Sequence, residues 1–195
     1  KFSPANWPIN NTGCTDCPGG WYSSDETNNY NVYSGPKKCV RCKAGTWSRP
    51  GQSQCNEICD AGTGSKTGAK NASDCGACPV GKWSKADGEG CQNCAANTYS
   101  DTTATTICKN CPNGKFTDNS GANSSETCLP CAVGKSSSDG SACQDCAAGK
   151  FNNVRGATCK GCQVGKYQDE NGKTSCKNCA DIHEYQLETG SSTCA

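Results

Sequence analysis

Twenty of the 21 cysteines in this 195-residue chain fall into ten close pairs: Cys14/Cys17, Cys39/Cys42, Cys55/Cys59, Cys75/Cys78, Cys91/Cys94, Cys108/Cys111, Cys128/Cys131, Cys143/Cys146, Cys159/Cys162 and Cys176/Cys179. Cys194 stands apart. Every pair is C-x-x-C except Cys55-Asn-Glu-Ile-Cys59, which carries one extra residue, and 11 to 21 residues separate successive pairs. Self-similarity at such a short period predicts a repeat architecture rather than a globular domain.

Nothing else in the composition offers a core. Leu, Ile, Val and Phe together number 15 of 195 residues, far under the roughly 20% below which a chain lacks the apolar mass to fold around a hydrophobic interior. Small units without a core are held by disulfides or metals, and cysteine at this density points to an oxidising, extracellular compartment. The net charge is +1, with Lys and Arg scattered singly among Asp and Glu, so no basic stripe for nucleic acid and no polybasic membrane anchor is expected. No apolar run is long enough to span a bilayer and no charged-then-apolar leader precedes Lys1, which reads as a processed product, a fragment or the ordered part of something longer, without membrane insertion in this segment.

The loops share a beginning, C-x-x-G-x-aromatic-S. Examples are Cys17-Pro-Gly-Gly-Trp-Tyr-Ser, Cys42-Lys-Ala-Gly-Thr-Trp-Ser, Cys78-Pro-Val-Gly-Lys-Trp-Ser and Cys162-Gln-Val-Gly-Lys-Tyr-Gln. The third residue after the cysteine is Gly in eight of ten loops and Asn97 in a ninth, which predicts a tight turn with a left-handed residue. Two positions on stand Tyr22, Trp47, Trp83, Tyr99, Phe116, Phe151 and Tyr167. Each is expected to lie over a disulfide or a neighbouring module as most of that repeat's core. Gly64 and Ser136 replace the aromatic in two loops, which predicts looser modules there. The last loop, Cys179-Ala-Asp-Ile-His-Glu-Tyr, departs from the pattern and reads as an atypical terminal repeat over 180–195. Residues 1–13, with Pro4, Trp7, Pro8 and Ile9, read as an extended cysteine-free arm preceding the tandem repeats of 14–179.

Two disulfide registers are open. In the uniform one the second cysteine of each pair bonds the first of the next: Cys17 to Cys39, Cys42 to Cys55, Cys59 to Cys75, Cys78 to Cys91, Cys94 to Cys108, Cys111 to Cys128, Cys131 to Cys143, Cys146 to Cys159, Cys162 to Cys176 and Cys179 to Cys194. Cys14 is then unpaired or intermolecular. In the alternating one, neighbouring pairs cross-link first-to-first and second-to-second, and Cys194 is left over. The loops do not alternate in character, which favours the uniform register. Each bridge would contribute about 3 kcal/mol on the chain-entropy model. Because every bridge is local, the modules are expected to be stabilised almost independently, and reduction to unfold the chain.

The same C-x-x-C spacing suits zinc knuckles. The sequons, the absence of basic charge and the loop-by-loop symmetry argue against that reading, so no metal and no cofactor is assigned. A redox C-x-x-C needs a thioredoxin-like fold that this chain has no core to build. The only histidine, His183, lies beside Asp181 and Glu184 in the atypical last loop and reads as a solvated loop residue. Asp169-Glu170-Asn171 lacks the ordered oxygen spacing of a dedicated calcium loop and reads as a polar turn, as does Ser136 to Ser141, a second-choice site for O-glycans. No catalytic residue is assigned and the chain is not expected to be an enzyme. Sequons at Asn10, Asn71 and Asn123 are candidate N-glycosylation sites on a secreted chain.

With these motifs in view, the chain resembles the cysteine-rich modules of tumour necrosis factor receptors and the related ephrin-receptor-like repeats. Its unit is similar to the singly bridged submodule of the receptor domains, whose pairing implies the uniform register. The resemblance implies a small disulfide-rich fold: a rod of about ten singly bridged loops with short β-hairpins, turns and little or no helix. Long degenerate arrays of this kind look like those of large surface proteins of unicellular eukaryotes. The doubly bridged submodules of cytokine receptors are missing, so ligand-contact residues do not carry over. The expected role is a structural extracellular or cell-surface glycoprotein, a coat, stalk or fibre subunit or filament, partnered by copies of itself, other surface proteins and its own glycans. A receptor or adhesin ectodomain reading a protein or glycan ligand is the alternative, for which Trp7 and Trp21 are the Trp candidates outside the repeated position.

Overall fold

The computed structural model of the chain describes residues 17–24, 38–179 and 188–194. Two compact units divide it, Lys1–Gln92 with Thr102–Ile107, and Asn93–Asp101 with Cys108–Ala195. Numbering repeats from the second cysteine of each pair, repeat one begins at Cys17, repeat two at Cys42, and repeat ten at Cys179.

Each of repeats one to nine starts with a reverse turn. The N–H four residues after the cysteine donates to the carbonyl three residues earlier, as in Lys115 to Pro112 (2.9 Å), Lys150 to Ala147 (3.0 Å) and Trp21 to Pro18 (3.1 Å). The third turn residue has positive φ, +80° at Gly114 and +64° at Asn97, the conformation a type II turn requires and glycine accepts without steric cost. The next two residues form a short strand that pairs antiparallel with the residues between the cysteines of the following pair. Lys115 and Phe116 face Pro130 and Leu129, Lys150 and Phe151 face Gly161 and Lys160, and Thr46 and Trp47 face Ile58 and Glu57. In this last case the extra residue of the Cys55/Cys59 pair, Asn56, falls ahead of the strand and leaves the register intact. The first hairpin is longer, Trp21–Ser24 against Lys38–Arg41. The described residues form nine such two-stranded sheets, with single 3-10 turns at Ala72–Asp74 and Ser125–Thr127 as their only helical segments.

Ten disulfides close the loops: Cys17–Cys39, Cys42–Cys55, Cys59–Cys75, Cys78–Cys91, Cys94–Cys108, Cys111–Cys128, Cys131–Cys143, Cys146–Cys159, Cys162–Cys176 and Cys179–Cys194. Cys14 lies outside the described residues. The chain is thus a small disulfide-rich repeat fold.

Its interior differs from a row of aromatic plates. Of the repeated aromatics only Trp47 is buried, against the Cys59–Cys75 bridge and Ala69 of the following repeat, while Tyr22, Trp83, Tyr99, Phe116, Phe151 and Tyr167 are half-exposed. The buried groups are the second cysteines of the pairs, from Cys17 to Cys162, together with the polar residue six positions further on in every one of these repeats but the first and third, where Ser23 and Ser65 are half-buried. A cystine covered by hydrogen-bonded backbone replaces the apolar side chains that this composition lacks.

Candidate functional site

The repeated structural site of this chain is the face where one repeat meets the next, and it is built from three positions counted from the opening cysteine. The cysteine's own carbonyl accepts an N–H from the far turn of the next repeat: Gly51 to Cys17, Gly68 to Cys42, Gly121 to Cys94, Gly156 to Cys131 and Gly172 to Cys146, all at 2.7–3.0 Å. The glycine at the third position donates its N–H to the next repeat's sixth-position carbonyl, as in Gly20 to Ser48 (2.9 Å), Gly62 to Ser84 (3.0 Å), Gly114 to Ser137 (2.9 Å) and Gly134 to Asn152 (2.7 Å). Its carbonyl accepts from the N–H of the next opening cysteine, Cys131 to Gly114 at 2.8 Å for example.

The sixth position completes the contact with a side chain. Ser48 Oγ donates to the Trp21 carbonyl (3.0 Å), Ser84 Oγ to Thr63 (2.7 Å), Ser137 Oγ to Lys115 (2.6 Å) and Asn152 Nδ2 to Lys135 (2.7 Å), each in the repeat before. These residues are at most 5% exposed. A hydroxyl or amide can be buried there because it is satisfied, and each such neutral bond contributes about 0.5–1.5 kcal/mol. The sequence carries the signal plainly: Ser23, Ser48, Ser65, Ser84, Ser100, Thr117, Ser137, Asn152 and Gln168 all hold this place. Only the structure gives it a role.

Contacts also reach one repeat further. A Cβ at Gly114 would overlap the carbonyl oxygen of Gly156, two repeats on, and the same holds for Gly20 against Gly68, Gly134 against Gly172 and Gly149 against Gly190. The glycine is therefore demanded twice, by positive φ and by close backbone approach. The expected near-independence of modules is corrected here. The disulfides are local, but within each unit every interior repeat is hydrogen-bonded to its neighbour and backed by the one after.

Repeat three interrupts the regular surface. At its aromatic position stands Gly64, whose Cβ would lie 2.8 Å from the Cys91 N and Sγ of repeat four, so no side chain fits there without a shift. An open groove of about 770 Å³ runs beside it, lined among others by Gly64, Lys66, Lys70, Pro79, Lys82 and Cys91.

Two segments, 81–128 and 149–193, match the family model described as tyrosine-protein kinase ephrin type A/B receptor-like. The chain carries cysteine-rich repeats resembling ephrin-receptor-like modules. No curated protein matches the chain. The ephrin-receptor-like segments cover repeats four to six and eight to ten, and the same turn, hairpin and bridge recur outside them in repeats two, three and seven. Such repeats, with bridges throughout, mark an extracellular or secreted module of receptor-like or structural type. Among the described residues no helix is long and apolar enough to cross a membrane.

Across the chain the remaining sequence candidates separate. Asn71 and Asn123 are exposed. Asn71 precedes the first 3-10 turn, and its Oδ1 accepts from the N–H (3.0 Å) and the Oγ–H (2.6 Å) of Ser73, which leaves its Nδ2 outside these bonds. Asn123 stands one residue ahead of the corresponding cap, Ser124. Asn10, Trp7 and His183 lie outside the described residues. Trp21 is half-buried under the Arg41 guanidinium, 4.7 Å from the ring centroid, an attractive cation–π contact. The acidic turn is engaged by cations: Asp169 meets Lys177 at 2.6 Å and Glu170 meets Lys173 at 2.9 Å, while Asn171 Oδ1 accepts from the Ala148 N–H at 2.8 Å. The hydrogen bond from Lys177 holds the Asp169 carboxyl below its usual value and raises the lysine in return. Lys109 does the same to Asp101. Ser136 to Ser141 splits in role, Ser137 belonging to the inter-repeat face and Ser141 Oγ accepting from the Ser138 N–H at 3.1 Å.

Proposed function

We propose that this chain is a structural, non-catalytic part of an extracellular or cell-surface glycoprotein, serving as a coat, stalk or fibre subunit. The observation that supports this best is the inter-repeat face. Within each unit successive repeats are joined by backbone bonds from the opening cysteine and the turn glycine and by a buried sixth-position side chain, so tension on one repeat passes to the next through several bonds in parallel. The main chain and covalent bridges carry it, and no apolar core has to rearrange.

In the sharper form of this reading Cys14, outside the ten bridges, joins another copy of the chain or another surface protein. The test is secretion of the full chain from a eukaryotic host, followed by non-reducing electrophoresis, size exclusion and disulfide mapping. Covalent oligomers linked through Cys14 that collapse to one species on reduction are expected. A monodisperse monomer with Cys14 as a free thiol overturns the covalent assembly.

The adhesin or receptor reading is favoured by one surface feature. In the second unit Leu129, Val133, Val154 and Val164 are 44–59% exposed, aliphatic side chains that a ligand would cover. A soluble ligand retained by the full chain, and lost when Leu129 and Val164 are both changed to Ser, would move the assignment to this alternative.

A further inference from the structure

We propose that the groove at repeat three is the seat of this chain's own glycan, attached at Asn71. The inference rests on the proposed reading of an extracellular glycoprotein and adds to it a defined place for one sugar chain.

The groove lies where the repeat pattern lacks its aromatic. Trp47, in repeat two, covers the disulfide of the repeat that follows it. The matching place in repeat three is Gly64, which packs directly against the Cys91 N and Sγ and leaves no room for a side chain of its own, and both residues line the groove. At Gly76, on its wall, an added Cβ would meet nothing within 4 Å. The opening of about 770 Å³ falls within the range of about 300–1,000 Å³ typical of small-molecule sites, enough for the first few rings of an oligosaccharide.

The sequon adjoins the groove without lining it. Lys70 and Asp74, which flank the Asn71-Ala72-Ser73 triplet, both line the groove. Asn71 is exposed, and its Oδ1 is held by the two bonds from Ser73, so the side chain is fixed before anything is attached. Attachment forms a bond from Nδ2 to the anomeric carbon of an oligosaccharide diphosphate donor. The carbon–oxygen bond to the diphosphate breaks and the amide proton leaves to the transferase's base.

The lining suits a sugar. Pro79 and the lysine stems offer flat aliphatic surface to the C–H faces of pyranose rings, and the ammonium groups donate to hydroxyls. Lys66, Lys70 and Lys82 have no ion-pair partner among the described residues, so their donors are available. Asn123 supplies the internal control. It is equally exposed, but its repeat keeps Phe116 at the aromatic position.

The test uses the full chain secreted from a eukaryotic host, with glycopeptide mass spectrometry to read the sugars and amine-reactive labelling to read lysine accessibility. Wild type is compared with N71Q, with N123Q, and with folded wild type trimmed by an endoglycosidase to one sugar per site, which avoids any failure of N71Q to fold. Asn71 is expected to be occupied, and Lys66, Lys70 and Lys82 to label several-fold faster after trimming and in N71Q. Lys150 and Lys166 should not change, and N123Q should match wild type. An occupied Asn71 with unchanged labelling at all three lysines overturns the proposal, as does a bare Asn71 beside an occupied Asn123. Absence of sugar at every sequon instead overturns the glycoprotein reading itself.

Discussion

Replacing Gly114 with Ala isolates what contact across two repeats contributes to stability, because the chain contains its own control. Gly114 and Gly165 hold the same place in repeats six and nine, with φ of +80° and +78°. Both accept the N–H of the next opening cysteine, Cys131 to Gly114 at 2.8 Å and Cys179 to Gly165 at 3.1 Å. They differ in packing: Gly114 is buried and also donates its N–H to the Ser137 carbonyl, and Gly165 is exposed. Among the described residues a Cβ on Gly165 would meet nothing within 4 Å, whereas one on Gly114 would overlap the Gly156 carbonyl oxygen. The left-handed conformation costs an alanine about 1–2 kcal/mol, and both variants bear that cost. Only Gly114→Ala must also displace backbone, which, as overpacking, adds about 1–3 kcal/mol. Gly165→Ala should therefore lose about 1–2 kcal/mol and Gly114→Ala about 2–5 kcal/mol in total. Local opening is the right readout because stability in a repeat array is not uniform. Amide exchange by mass spectrometry on the oxidised protein should show deprotection around Gly114 and also around Gly156, two repeats away. Equal losses in the two variants, or an effect of Gly114→Ala confined to repeats six and seven, would refute the interlocked packing.

The buried sixth-position residue has a smaller, specific cost. Ser137→Ala removes the 2.6 Å bond to the Lys115 carbonyl and leaves that acceptor short of a partner, so the junction of repeats six and seven should open more easily by about 1–3 kcal/mol in exchange experiments. Ala104, with φ +56°, carries left-handed strain that glycine relieves, and Ala104→Gly should gain up to about 1 kcal/mol once the greater freedom of unfolded glycine is subtracted. For Asp169 the paired Lys177 lowers the carboxyl pKa, so the pair's contribution is present above the ordinary carboxylate range and is lost as pH falls through the lowered value. A carboxyl-detected NMR titration should place Asp169 below a free aspartate, and Lys177→Ala should return it upward; no change on that substitution would refute the pairing. Reduction with excess dithiothreitol should abolish the exchange protection of both units, since the covered groups are cystines; retained protection would show a core that the bridges do not supply.

The sequence by itself determined the class of fold. Fifteen large aliphatic and Phe residues in 195 cannot form an interior, and paired cysteines at short, regular spacing leave local bridging as the way to order the chain. The turn was equally legible, because a Gly or Asn fixed three residues after a cysteine states a backbone angle that few other residues adopt. Tertiary structure decided how the repeats cohere within each unit. Locality of the bridges suggested independent modules, but hydrogen bonds between carbonyls and amides of different repeats leave no mark in residue identity, since every residue carries the same backbone groups. The sixth-position Ser, Thr, Asn or Gln was visible as a letter, yet its place was hidden for the same reason: its partner is a main-chain carbonyl. The repeated glycine showed the angle it adopts and concealed the second reason for its presence, the approach of a backbone two repeats on, which becomes visible only when both segments are placed in space.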